Sequence, residues 1–532
     1  MSQNALINSY ESQSYISRPF ANSCIFHLQA VASLMGLKPA NSTTARVLEL
    51  GCAFGGNIIM SALSAPKTQF IGIDISPSQV AQGNEIIAKI GLNNIKLIAL
   101  DLCKLTSDDN EKVKELGKFD YIIAHGLYSW VDASVRNSIF KVAAKMLANN
   151  GIFYASYNTY PGWKQKEILR DFMLFSNKQK MGQDTNLKQN ENVLAHQKSA
   201  LKGFLGYLKS LPDTSAPKDA YSKAFLDFAS STISEYDDFY ILHEHLEQTN
   251  APCYFSEFIA DARASGLEYI VDSTLSPSFF TSVEHLGDMA NSLSHEECEQ
   301  YGDFLSCRPF RCSLLGLSKD IKANNALKNA LKGEFELDAI KALHLKAHFN
   351  INGELISDES GMITLNPAIK PLALAFNEIF PSSITLPKLC ERFASKLKEQ
   401  IYISLVHLVC IGAINISAHP SVAIPYKVGK SRIKRQYLNY ISYFASSENA
   451  KIAMADAQNA LTNIASGDES ALALLFDGKN SLKDIAKELK KMLDKKGLKL
   501  NLKPKQSQND ALLELIKALE YKLYAACYFE QI

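Results

Sequence analysis

The stretch Val47-Leu48-Glu49-Leu50-Gly51-Cys52-Ala53-Phe54-Gly55-Gly56-Asn57 decides the fold. Its apolar start, interrupted by one acid at Glu49, reads as a buried parallel strand. Its glycines read as a tight turn that feeds a helix. Gly51 lets the backbone turn sharply, and Gly55 and Gly56 let a ligand or the next helix come close. A second apolar run, Phe70 to Ile73, ends on another acid, Asp74. A carboxylate there can accept hydrogen bonds from both hydroxyls of a ribose.

Working outward, short apolar runs alternate with helical segments. Strands are expected at 46–50, 69–74, 95–100, 119–124 and 151–157, with helices at about 56–64, 76–90 and 133–148. Ser76-Pro77 marks a helix start, because serine caps and proline suits the first turn. Upstream, 23–37 has helical spacing and stops at Gly36. This alternation argues for an α/β chain with a Rossmann-like, doubly wound parallel sheet. Ligands of such sheets sit beyond the strand C-terminal ends, at the switch point. Placed there are Gly51 to Asn57, Asp74, Asp101 with Leu102, and His125.

The glycine spacing bears on the ligand. A dinucleotide site usually reads G-x-G-x-x-G, with a pyrophosphate on the helix N-terminus. Here the acid precedes the first glycine. S-adenosylmethionine has no phosphate, and its ammonium and sulfonium suit an acidic strand end. Taken alone, the turn also fits a purely structural strand-turn-helix. Two loops add to it: His125-Gly126-Leu127-Tyr128-Ser129-Trp130 after the fourth strand, and Tyr157-Asn158-Thr159-Tyr160-Pro161-Gly162-Trp163 after the fifth. They contain both tryptophans of the chain. Aromatic faces stabilise an ammonium or sulfonium by about 0.5–2 kcal/mol per good contact. Aligning a neutral nucleophile with a methyl carbon can supply roughly 7–11 kcal/mol. For His125 three roles stay open: cofactor contact, proton acceptor, or loop staple. Asn158 can orient an amine but not deprotonate it. Each aromatic side chain alone could equally be a loop anchor on the sheet edge.

Val47 to Asn57 resembles the first motif of class I S-adenosylmethionine-dependent methyltransferases. YISRPF (15–20), ELGCAFGGN (49–57), GIDIS (72–76), AHGLYSWV (124–131) and SYNTYPGW (156–163) sharpen the likeness. HEHLEQTNAPCYFSEFIADARASGLEYI (243–270) and QYGDFLSCRPFRCSLL (300–315) extend it. Together they are similar to the bacterial methyltransferases that carry a methyltransferase regulatory domain. That group includes protein-lysine methyltransferases acting on outer-membrane surface antigens. The resemblance implies S-adenosyl-L-methionine as cofactor, held by Glu49, Gly51, Gly55, Asn57, Asp74 and Asp101. Cys52, Ala53, Ile75, Leu102 and His125 stand beside these positions. Residues 1–21 read either as a flexible tail that docks by a few aromatics or as a lid over the cofactor, with Tyr15 as its contact. His125, Tyr128, Trp130, Tyr157, Asn158 and Tyr160 would line the methyl-acceptor end. The resemblance also implies a seven-stranded sheet completed by 267–273 and an antiparallel 310–316, with 163–250 inserted; the alternative places those strands in a separate domain. Ser306-Cys307-Arg308-Pro309 departs from the more polar, basic run of the group.

The expected organisation is a lid segment (1–21), a cofactor-binding core (22–162), a helical insertion or regulatory region with the last strands (163–320), and a smaller α+β, winged-helix-like C-terminal domain (321–532). The 532 residues give ample core, with 47% hydrophobic and 21% charged residues. Net charge is +1, which argues neither for nor against a nucleic-acid partner, and nucleic acid is not the expected partner. Eight lysines against two acids in 487–505 read as a solvated helix face or an attraction for an acidic partner. The ten cysteines include no C-x-x-C pair, so no metal site is expected. The start MSQNALINSY lacks a secretory pattern, and the uncharged run Ile401 to Ile416 is short for a membrane span. A cytoplasmic enzyme is expected, methylating protein lysines, with an unfolded or surface protein met before export as partner. Its rivals are a small-molecule methyltransferase and a cofactor-binding regulatory protein without turnover. The sequence specifies no oligomeric state.

Overall fold

Arg46–Leu50 forms β1, the middle of the parallel part of a seven-stranded sheet. This is a computed structural model, which describes residues 16–106, 111–181, 198–206, 223–224, 227–231, 249–279, 292–322, 324–504 and 506–532. The remaining strands are Gln69–Asp74 (β2), Ile95–Ala99 (β3), Phe119–Ala124 (β4), Leu147–Asn158 (β5), Leu267–Asp272 (β6) and Phe310–Leu317 (β7). Their spatial order is β3-β2-β1-β4-β5-β7-β6. β1 to β5 run parallel, and β7 runs antiparallel to both β5 and β6. The segments near 267–273 and 310–316 thus complete the sheet, as in class I methyltransferases. Alternation along the strands splits the core. Val47, Tyr121, Ile123, Ile152 and Tyr154 face one side. Leu48, Leu50, Ile122, Ala124 and Phe153 face the other.

Local signals set most boundaries. Ser76 caps the helix Pro77–Ile90 by accepting from the Gln79 amide, and Gly91 ends it at φ +82°. One boundary differs from expectation. The helix after β4 spans Ala133–Met146, and β5 begins at Leu147, ahead of the expected 151. Leu147 pairs with Phe119, the register then shifts, and Tyr121 faces Ile152. Asn150 takes φ +56° inside this irregularity. The Asn149-Asn150-Gly151 run is therefore a bulge within the strand and not a helix stop.

Beyond residue 320, the helix Lys370–Ile379, strand Ile384–Thr385, helices Leu386–Cys390 and Lys398–Cys410 and strand Asn415–Ser417 follow in the order of a winged-helix-like unit. His344–Lys346 pairs with both strands to give a small antiparallel sheet. The helices Leu438–Ala445, Asp468–Ala473, Leu482–Lys496 and Gln508–Ala525 follow, with Ser431–Ile433 pairing Phe529–Gln531. In the lysine-rich stretch, Lys487, Lys491, Lys496 and Lys503 each pair with a carboxylate, which fits a solvated face.

This C-terminal part shares one apolar core with the sheet. The helix Ile25–Leu34 is the junction: the Ala418 amide donates to the Phe26 carbonyl at 2.9 Å, and Phe26 stacks on His419. Among the described residues no helix is long and apolar enough to cross a membrane, and no cluster of metal-ligating side chains occurs.

Candidate active site

The turn after β1 is fastened to the end of β2. The Gly51 and Cys52 amides donate to the Ile73 carbonyl at 2.8 and 3.1 Å. Asp74 Oδ2 accepts from the Ala53 amide at 2.8 Å, and Oδ1 accepts from the Ser76 amide at 2.9 Å. Gly51 and Gly55 adopt φ of +74° and +80°, which favours glycine at both.

This turn opens into a cavity of about 610 Å³ beyond the strand C-terminal ends. The strand order divides its lining. On the β1, β2 and β3 side stand Glu49, Asp74 and Asp101, with Ile75, Leu100 and Leu102 between them. On the β4, β5 and β7 side stand His125, Leu127, Trp130, Val131, Asn158 and Phe310. One side is acidic and the other is apolar and aromatic.

Glu49 is 3% exposed. Its Oε1 accepts from Asn57 Nδ2 at 2.7 Å, and its Oε2 has no partner among the described residues. Burial raises its pKa to about 8; Asn57 opposes this, and Asp74 adds to it. A buried, unpartnered carboxylate oxygen at the cavity wall suits a cationic ligand group and is costly without one.

The N-terminal segment closes the cavity from outside the sheet. Ser17 Oγ accepts from the Gly56 amide at 2.9 Å, and Ser17 bridges in parallel to Ile452. A Cβ on Gly56 would lie 2.2 Å from the Ser17 carbonyl oxygen, so glycine permits this close crossing. Phe20 stacks on His125 with ring centroids 3.6 Å apart. His125 Nδ1 lies 2.9 Å from the Tyr154 hydroxyl, which in turn donates to Cys312 Sγ at 3.2 Å. The ring therefore donates from Nδ1, and Nε2 keeps its lone pair. Burial lowers the pKa of His125 to about 3 and holds it neutral.

Of the sequence-derived cofactor positions, Glu49, Gly51, Cys52, Ala53, Asn57, Asp74, Ile75, Asp101, Leu102 and His125 all line the cavity. Gly55 instead precedes the helix Gly56–Ser64 in a left-handed conformation. Tyr15 lies outside the described residues. Of the acceptor-end positions, His125, Trp130 and Asn158 line the cavity. Tyr128, Tyr157 and Tyr160 do not. Tyr128 and Tyr157 are buried in an aromatic cluster with Phe258, on which Tyr157 stacks at 3.8 Å. Tyr157 bonds Ser313 at 3.0 Å, and Tyr160 donates to Glu167 at 2.6 Å. Tyr157 faces this packing from within β5, and the segments carrying Tyr128 and Tyr160 turn their rings into packing as well. Trp163 is a buried anchor, edge-on to Trp130.

Sequence reasoning missed Ser17 and Phe310 as cavity residues, and it placed Phe20 in a lid without choosing it. Phe310 opens β7, and because β7 is antiparallel its start lies at the cavity end of the sheet. The next residue, Arg311, is buried between Glu299 and Asp303 at 2.7 and 2.8 Å and holds that start in place. Despite burial, Arg311 and His295 pull Glu299 down to about 2. The Ser306-Cys307-Arg308-Pro309 run packs on the loop after β5: the Gly162 amide donates to the Arg308 carbonyl, and the Thr159 amide to that of Pro309.

Two family models match the chain: a methyltransferase domain over 41–223 and a predicted methyltransferase regulatory domain over 237–316. The uncharacterized protein RP789 of Rickettsia prowazekii is 31% identical over 438 residues, 77% of this chain and 74% of that protein. RP028 of the same organism is 34% identical, over 48% of this chain and 94% of its own. The solved structure of PKMT2 from Rickettsia typhi superposes with a TM-score of 0.76 at 26% identity, covering 97% of this chain and 99% of that one. Its complex with AdoHcy gives a TM-score of 0.77 at the same identity.

Proposed function

The chain belongs to the class I S-adenosylmethionine-dependent methyltransferases that carry a methyltransferase regulatory domain, and from that premise we propose that it methylates lysine side-chain amines of protein substrates. The observation that carries this reading is the division of the cavity. Its acidic side holds an unpartnered Glu49 oxygen, and its aromatic side offers no carboxylate.

When bound, S-adenosylmethionine supplies a methyl carbon activated by its sulfonium. On the acidic side, Glu49 Oε2 is the acceptor for an ammonium. Asp74 has one backbone bond on each oxygen and keeps a lone pair on each for ribose hydroxyls. Asp101 stands beside it, and Ile75, Leu100 and Leu102 offer apolar surface to a flat ring. On the other side, Phe20, Leu127, Trp130, Val131 and Phe310 exclude water. A lysine must reach this end as a neutral amine. His125, with a pKa near 3, is too weak a base to take the proton from an ordinary ammonium. Desolvation by the apolar lining lowers the amine pKa instead. Asn158 Oδ1 can accept from the amine and orient its lone pair.

The full-length likeness to PKMT2 supports a protein substrate. In this reading 22–162 forms the cofactor-binding core, 1–21 its lid, 163–320 the regulatory region with the last strands, and 321–532 the C-terminal domain. The enzyme acts in the cytoplasm, on unfolded or surface proteins before their export. Acid hydrolysis of a polypeptide labelled by the enzyme tests the acceptor: label recovered as N-methyl-lysine supports it, and label on another amino acid rejects it.

A further inference from the structure

The C-terminal domain reaches Asn57, at the cofactor end of the cavity wall, through one turn, residues 456–460. Asp456 Oδ1 accepts from the Gln458 and Ala460 amides, both at 2.8 Å, and Asn459 sits at φ +61°. Tyr440 and Tyr528 clamp the preceding residue, Ala455, through its amide and its carbonyl. The turn thus presents one buried side chain in a fixed position. Asn459 Nδ2 donates to the Asn57 carbonyl at 2.8 Å and to Asn57 Oδ1 at 3.0 Å. The Phe20 amide and the Ser23 hydroxyl also donate to Asn57 Oδ1, at 3.0 and 3.1 Å. With donors gathered on its oxygen, the Asn57 amide has one orientation, and its Nδ2 must face Glu49 Oε1. That bond leaves Glu49 Oε2 as the oxygen without a partner.

We infer that Asn459 is a positioning residue for cofactor binding: acting through Asn57, it holds Glu49 with one oxygen reserved for the ammonium of the ligand. The C-terminal domain then completes the cofactor site, 402 residues along the chain from Asn57. The same domain holds Ser17 against the glycine turn, since the Ser17 amide donates to the Lys451 carbonyl and the Ala453 amide to the Ser17 carbonyl. The inference rests on Glu49 being the ammonium acceptor.

Two ligands separate this role from general support of the fold. S-adenosylhomocysteine carries the amino-acid end; 5′-methylthioadenosine has the same nucleoside and thioether without it. Asn459→Gly keeps the left-handed backbone and removes the donors. In the full chain it should weaken S-adenosylhomocysteine roughly tenfold by calorimetry and leave 5′-methylthioadenosine within about twofold. Asn459→Asp, which also tolerates this conformation, replaces donors by acceptors and should show the same selectivity, should the glycine variant not fold. Equal weakening of both ligands, or none of either, overturns the inference. Glu49→Gln is measured alongside. If it too discriminates, the acceptor assignment stands and the Asn459 result is decisive; if it weakens neither ligand selectively, the assignment of Glu49 fails and the inference with it.

Discussion

Phe20 lies face to face with His125, ring centroids 3.6 Å apart and planes inclined by 25°. This contact joins the N-terminal segment to the loop after β4 and covers the aromatic side of the cavity. It also explains why an imidazole at the cavity wall is held neutral: Phe20 covers one face, and Tyr154 lies parallel at 5.8 Å.

Phe20→Ala should therefore move the His125 pKa upward from about 3 toward its ordinary 6.5. An NMR titration of the ring checks this. The lost stacking should cost about 0.5–1.5 kcal/mol. The low value also has a stability consequence. The folded state binds the His125 proton less tightly than the unfolded state, so this contribution is present above about pH 6.5 and is lost as pH falls toward 3. Phe20→Ala should flatten that acid limb.

Glu49 has the opposite sign. Its pKa is raised from 4.5 to about 8, so the ligand-free protein holds it protonated at pH 7. Its contribution to stability is full below 4.5 and is lost as pH rises through 8. Glu49→Gln should remove that loss, making the ligand-free variant less sensitive to pH in denaturant titrations between these limits. An ammonium beside Glu49 lowers its pKa, so binding of S-adenosylhomocysteine at pH 7 should release a proton. Calorimetry in buffers of different ionisation heat should detect it in the wild type and not in Glu49→Gln.

Gly56→Ala tests the N-terminal crossing. The added Cβ would meet Ser17 backbone at 2.2 and 2.7 Å, which no side-chain rotation relieves. The expected result is an intact sheet with a displaced N-terminal segment. Limited proteolysis ahead of Cys24 should accelerate, and cofactor affinity should fall. Unchanged proteolysis would show that the crossing is dispensable.

Tyr157 and Asn158 are neighbours in sequence and differ in role. Tyr157→Phe removes the bond to Ser313 and should cost about 0.5–1.5 kcal/mol of stability with methyl transfer retained. Asn158→Ala should lower kcat while leaving cofactor affinity largely intact. Equal activity losses in stably folded variants would place both residues in loop support.

The contrast between these two residues shows what the sequence could reveal. The glycine turn, Asp74 and the β-α alternation are local patterns, and each strand they implied is present. In β5 even the face of each side chain follows from alternation, which turns Tyr157 toward the Phe258 cluster. Counting aromatic side chains near the strand ends could not separate Trp130, at the cavity wall, from Tyr128, which packs inward. Phe310 carries no local mark of its own; the antiparallel run of β7, which the family resemblance implied, is what puts it at the cavity end. Asn459 lay beyond any local signal, because its partner belongs to the first turn after β1 and only tertiary packing joins them.

We propose methyl transfer to protein lysines. The most direct test is incubation of the enzyme with isotopically labelled S-adenosylmethionine and a fractionated bacterial extract, with Asp74→Ala as control. Label should appear in polypeptide bands, be recovered as methyl-lysine and be lost in the variant. Label confined to small molecules would contradict it.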